Sequence, residues 1–189
     1  MVKKLYSAME IDLKTRVALW YRRRLRRGQS SGKAVKLSSS KDRLRSVLFF
    51  LPDKIEHIRI VEYFIKSISH SELNGTEIRF LCSQKAGTRY LKLINTGIQM
   101  YNEEGLDQWG LPQFPLENRI CKLNAEGIAD LDPEFNPVHA CLARASNASI
   151  RIGFDSRLSD HYYNVTLELR EAAFLEKSYL KMEQLLGLA

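Results

Sequence analysis

The stretch GIADLDPEFNPVHACLARASNASIRIGF, residues 127–154, decides the fold of this chain. A short apolar run from Gly127 to Leu131 stops at Asp132-Pro133, a turn signal. Asn136-Pro137 then opens a helical pattern that continues to Ala145, with Asn at the capping position and Pro at the first helical one. A β-branched run, Ile150 to Phe154, follows. Strand, helix and strand within so few residues describe a compact right-handed βαβ unit, and hence two parallel strands.

The same alternation extends outward. Residues 46–51, SVLFFL, are apolar without interruption, as expected of a strand covered on both faces and therefore central. Residues 53–69 carry Ile58, Val61, Phe64, Ile65 and Ile68 at helical spacing, and Asn74-Gly75 marks the turn after them. Glu77–Cys82 and Gly97–Asn102 read as strands on either side of a helix at Thr88–Asn95, with Leu91 and Ile94 inward. Residues 103–115 read as mostly loop. Tyr162–Leu169 alternates like a sixth strand, and residues 172–186 form a closing helix with Phe174, Leu175, Tyr179, Met182, Leu185 and Leu186 on one face. The expected architecture is α/β: a Rossmann-like, mostly parallel sheet in order 3-2-1-4-5 with helices on both faces. Three segments are expected: a basic amphipathic helix at 1–27, a Ser/Gly-rich flexible linker at 28–45, and the α/β domain at 46–189.

Charge is divided unevenly. Residues 1–46 hold fourteen basic residues against three acidic ones, a net charge of +11, whereas the remainder carries −4. In the first helix Leu5, Met9, Leu13, Val17, Trp20 and Tyr21 are expected on one apolar face, and Arg22, Arg23, Arg24, Arg26 and Arg27 crowd its end. Three readings stay open: an anionic membrane surface with Trp20 and Tyr21 at the interface, a nucleic-acid contact through the arginines, and a solvated or tail-like helix, docked or not on its own domain. No run approaches a membrane span and no secretory signal is visible. Cys82, Cys121 and Cys141 are odd in number and irregular in spacing, so the chain is expected in a reducing, cytoplasmic compartment, with Cys82 and Cys141 as core residues.

Open parallel sheets take ligands at the carboxyl ends of their strands. That rule makes Asp53, Asp132, Asn136 and Asp155 the candidate binding residues. Glu56 and His57, after the first strand, are the candidates for acid–base work. Against this stands a capping box, Asp53 through Glu56, and for Asp132, Asn136 and His139 a turn followed by a helix cap. No metal-binding spacing, dinucleotide fingerprint, phosphate loop or hydrolase elbow occurs, and no cofactor is expected.

The DLDP end of the fourth strand, the helix HACLARAS, the strand IRIGF followed by Asp155, the YYN at 162–164 and the closing YLKMEQLLGL together resemble the N-terminal, acceptor-side half of heptosyltransferase-type GT-B glycosyltransferases over residues 46–188. The resemblance implies that half's Rossmann-like fold. In that family a glycine-rich turn with a catalytic acid follows the first strand. Here the turn reads LPDKIEHIRI, with His57 at the aligned position. The donor-binding half is not part of this sequence. The expectation is a non-catalytic, glycosyltransferase-like binding or scaffold domain, peripheral to the inner membrane face. The alternatives are the acceptor half of a split glycosyltransferase of cell-envelope polysaccharide synthesis that needs a second protein subunit, and an RNA-associated α/β protein.

Overall fold

The computed structural model of the protein describes residues 11–25, 44–70, 75–95, 97–169 and 175–188. The six strands are β1 (Ser46–Phe50), β2 (Glu77–Ser83), β3 (Ile98–Tyr101), β4 (Gly127–Asp130), β5 (Ile150–Phe154) and β6 (Val165–Leu167). They form one sheet in order β3-β2-β1-β4-β5-β6, parallel at every pairing. The expected order therefore holds, and the sixth strand extends it past β5. The helices are α1 (Leu13–Leu25), α2 (Ile55–His70), α3 (Gln84–Tyr90), α4 (Phe114–Cys121), α5 (Pro137–Ala145) and α6 (Leu175–Leu185).

The uninterrupted apolar run of β1 has a direct structural cause. Val47, Phe49 and Leu51 point into a core shared with α2, α3 and α6, while Leu48 and Phe50 point into a second core shared with α1, α4 and α5. All five residues are fully buried. Phe49 stacks on Phe80 of β2 and meets Phe64 of α2 edge-on. The five inward positions expected on α2 are all buried, as are Leu175, Tyr179 and Met182 on α6. Phe174 lies outside the described residues. Cys82 and Cys141 are buried and unbridged, as expected, and burial pushes the Cys82 thiol up to about 12.

Two expectations need correction. The helix after β2 begins at Gln84, four residues before the expected start, because the Ser83 hydroxyl accepts from the Ala86 N–H and caps it where the strand ends. Its last turn stops at Tyr90, so Ile94 is buried but Leu91 is exposed. The second correction is α4, which the sequence reading leaves unassigned. Pro115 sits in its first turn, where a missing N–H costs nothing, and Leu116 and Ile120 bury its inner face.

On α1 the expected stripe forms over the described residues, and the structure adds which side of the helix is buried. Ala18 and Leu19, not Val17, Trp20 and Tyr21, face the domain. Arg22 donates to the Pro112 carbonyl and pairs with buried Glu117 of α4 at 3.2 Å. The helix is thus seated on the second core, outside the sheet. Its predicted apolar stripe lies on the other side, with Leu13 70%, Val17 52%, Trp20 57% and Tyr21 59% exposed. Leu5, Met9, Arg26, Arg27 and all but the end of the 28–45 segment lie outside the described residues.

Candidate site at the carboxyl edge of the sheet

The strand order reverses between β1 and β4, since β1 leads on to β2 on one side and β4 to β5 on the other. Such a switch point opens a crevice outside the carboxyl ends of the two strands. The residues around it come from the turn after β1 and the loop after β4.

On the β1 side, α2 starts at Ile55, and the Lys54 carbonyl receives the N–H groups of His57 and Ile58, both at 3.1 Å. Asp53 therefore stands one residue too early for the expected capping box. Its carboxylate accepts instead from the Ser83 hydroxyl at the end of β2, at 2.7 Å. On the β4 side, Glu134 reaches back across the crevice. Its Oε1 lies 2.5 Å from Lys54 Nζ and 3.6 Å from His57 Nε2. The hydrogen bond to Glu134 leads the effects that hold the Lys54 ammonium above its ordinary value. Ligand atoms of Glu56, His57 and Glu134 lie within 4.8 Å of one another, a set that a divalent cation could bridge once Lys54 gave way. Sequence spacing hid this set, because Glu134 is distant in the chain from the other two.

Beneath the crevice lies a buried polar network. Asp130, the last residue of β4, accepts from the Asp132 N–H at 3.0 Å, from His139 Nδ1 at 3.0 Å and from the Tyr163 hydroxyl at 2.6 Å. The His139 ring is fully buried, lies against Phe50 and Tyr101, and leaves its Nε2 without a partner. Burial is the largest single effect and opposes a charge on this ring, but the carboxylates around it, Asp130 first and then Asp132 and Asp53, together outweigh it and raise its pKa. Tyr163 reaches Asp130 by lying flat across Gly153 of β5. A Cβ at that glycine would meet the tyrosine ring at 2.7 Å. A lone glycine inside the strand IRIGF was the sequence signal for this close approach.

Asp132 closes the network toward solvent. It accepts from the Glu134 N–H at 3.1 Å and from Asn136 Nδ2 at 3.5 Å. Burial, followed by the adjacent Asp130 charge, pushes its carboxyl up to about 7. Asn136 caps α5 as the sequence indicates, accepting from Val138 N and His139 N. Asp155 sits exposed after β5, its amide bonded to the Leu167 carbonyl.

The fold thus brings Asp53, Glu56, His57, Asp132 and Asn136 to one edge and leaves Asp155 toward the β5–β6 side. Sequence reasoning missed Lys54, Ser83, Asp130, Glu134 and Tyr163. The arrangement provides a carboxyl group that titrates near neutrality beside a histidine clamped by an ion pair. Among the described residues no helix is long and apolar enough to cross a membrane. The chain was compared with protein-family models, with curated proteins and with solved structures, and none of the three gives a match.

Proposed function

We propose that this chain is a non-catalytic, glycosyltransferase-like binding domain that rests on an anionic membrane surface through α1. The observation that carries this reading is the two-sided helix. Ala18, Leu19 and Arg22 seat it on the domain, and the opposite side still presents Leu13, Val17, Trp20 and Tyr21. Exposed Lys14, Arg16 and Arg24 flank that stripe. Four large apolar side chains in one exposed row are more than an isolated soluble face requires. Aromatic residues with cations at the rim suit the boundary between acyl chains and anionic headgroups. The non-catalytic part of the reading is supported at the switch point. His57 stands where the resemblance places a catalytic base, and it faces Glu134, which also holds Lys54. Asp53 is engaged by Ser83.

The test is co-sedimentation with vesicles. The full chain is expected to bind anionic vesicles and to ignore neutral ones. Val17→Ser, Trp20→Ser and Tyr21→Ser together remove only exposed apolar surface, and should weaken that binding by tenfold or more, about 1.4 kcal/mol or above. Equal binding by the triple variant, or equal binding to neutral vesicles, overturns the membrane reading. Salt-sensitive RNA binding that the same variant abolishes would favour the nucleic-acid alternative. Incubation of the chain with nucleotide sugars and envelope-lipid acceptors is expected to give no product. Turnover that His57→Ala abolishes would restore the enzymatic alternative.

A further inference from the structure

We infer that Arg22, Arg23 and Arg144 form a receptor for a phosphate group where α1 meets α5 and the turn after β5. The three arginines line one concavity, with Cys141 and Tyr162 completing its wall. Two of them are held in place by the protein. Arg22 is fixed through its Nη2, which serves both Pro112 and Glu117, while its Nη1 is buried and donates to nothing. Arg144, in the last turn of α5, donates to the His161 carbonyl at 2.5 Å. Arg23 is half-buried and has no hydrogen-bond or ion-pair partner among the described residues.

The charge balance of this corner calls for an anion. Glu117 pairs with Arg22, whereas Arg23 and Arg144 have no ion-pair partner among the described residues, so positive charge is in excess in a partly desolvated place, with Asp160 near His161 offsetting part of it. A neighbour feels this charge: burial and then Arg23 hold His161 below its ordinary pKa, Asp160 opposes them, and Arg144 adds to the lowering. Like charges brought together out of water repel strongly unless an anion joins them. The enclosed volume, about 10 Å³, admits one water-sized group. An anion therefore sits at the mouth with a single oxygen inserted and its other oxygens turned to the surrounding arginines. Phosphate offers oxygens in several directions, and guanidinium forks match it well.

This inference deepens the membrane reading, because it makes the phosphate that of an anionic lipid headgroup. A free phosphate ester would present the same chemistry, and the experiment separates the two sources. Inorganic phosphate is titrated into the full chain by calorimetry and by thermal unfolding, against chloride at matched ionic strength. The chain is also tested on phosphatidylcholine vesicles carrying either phosphatidic acid or phosphatidylserine. Phosphate is expected to bind and to stabilise the wild-type chain, and phosphatidic acid, with its exposed phosphate, is expected to be preferred over phosphatidylserine. Arg23→Gln, which removes no hydrogen bond among the described residues, should weaken phosphate binding about tenfold, with Arg144→Gln showing the same loss. Phosphate that acts no better than chloride, or that binds Arg23→Gln as it binds wild type, overturns the inference. The triple variant at Val17, Trp20 and Tyr21 should keep its phosphate affinity. Phosphate binding without vesicle binding supports the receptor, assigns it to a free ester and removes the membrane reading alone. Vesicle binding without phosphate binding leaves the membrane reading and removes the receptor.

Discussion

Asp130→Ala should cost about 3–5 kcal/mol, a large part of the ~5–15 kcal/mol that holds a domain of this kind together. The carboxylate is 2% exposed and receives three donors: a backbone amide, an imidazole and a phenol. Truncation strands all three in a site closed to water, and each orphaned buried group costs about 1–3 kcal/mol. Losses within one network do not add in full, which sets the total below the sum. Asp130→Asn should cost less, since its carbonyl oxygen still serves part of the network, although its amide must face a donor. Urea titrations of the three proteins measure the differences. A loss below about 1 kcal/mol for the alanine variant would show that water satisfies these groups and that the network does not hold β4, α5 and the β5–β6 connection together.

The second large effect is a pH dependence. Asp132 has a folded-state pKa raised from the ordinary 3.8 to about 7. The native state therefore binds this proton more tightly than the unfolded chain does. Stability from this group is fully present below about 4 and is lost as the pH rises to about 7. The full change is on the order of 4 kcal/mol. His139 is raised as well, so it continues the decline above its ordinary 6.5. Asp132→Asn carries no proton to lose and can still accept from the Glu134 N–H. It is expected to match wild type near pH 4 and to exceed its stability at pH 8 by a few kcal/mol. Thermal or urea unfolding across that range gives the answer. Wild-type stability that rises from pH 4 to pH 8, or a variant profile parallel to it, would show that Asp132 is already ionised at acid pH.

These two carboxylates show the limit of reading along the chain. DLDP and Asn136-Pro137 announce a turn and a helix cap, and both form where expected. Nothing local distinguishes Asp130 from Asp132 as the buried acceptor. That difference depends on the Tyr163 hydroxyl arriving from beyond β5, over a glycine that leaves room for its ring. Asp53 offers the same lesson in the opposite sense. Its spacing to Glu56 matched a capping box, yet the parallel pairing of β1 with β2 places the Ser83 hydroxyl within reach and the carboxylate turns to it. On α1 the spacing of apolar residues gave a stripe but no direction. The small Ala18 and its neighbour Leu19 fit against the second core, so the larger stripe was left outside.

The sequence by itself determined the α/β class, the parallel order of the first five strands, the inner faces of α2 and α6 and the cap of α5. These depend on periods of two and 3.6 residues and on capping within one turn, and both are properties of neighbours in the chain. Only the tertiary structure decided which side of α1 is buried, that Glu134 closes the crevice over Lys54 and His57, that Asp130 gathers His139 and Tyr163, and that Arg144 joins Arg22 and Arg23 in one corner. Each of those contacts joins segments whose separation is set by sheet order and packing. Their strength comes from exclusion of water, which no local pattern of residues records.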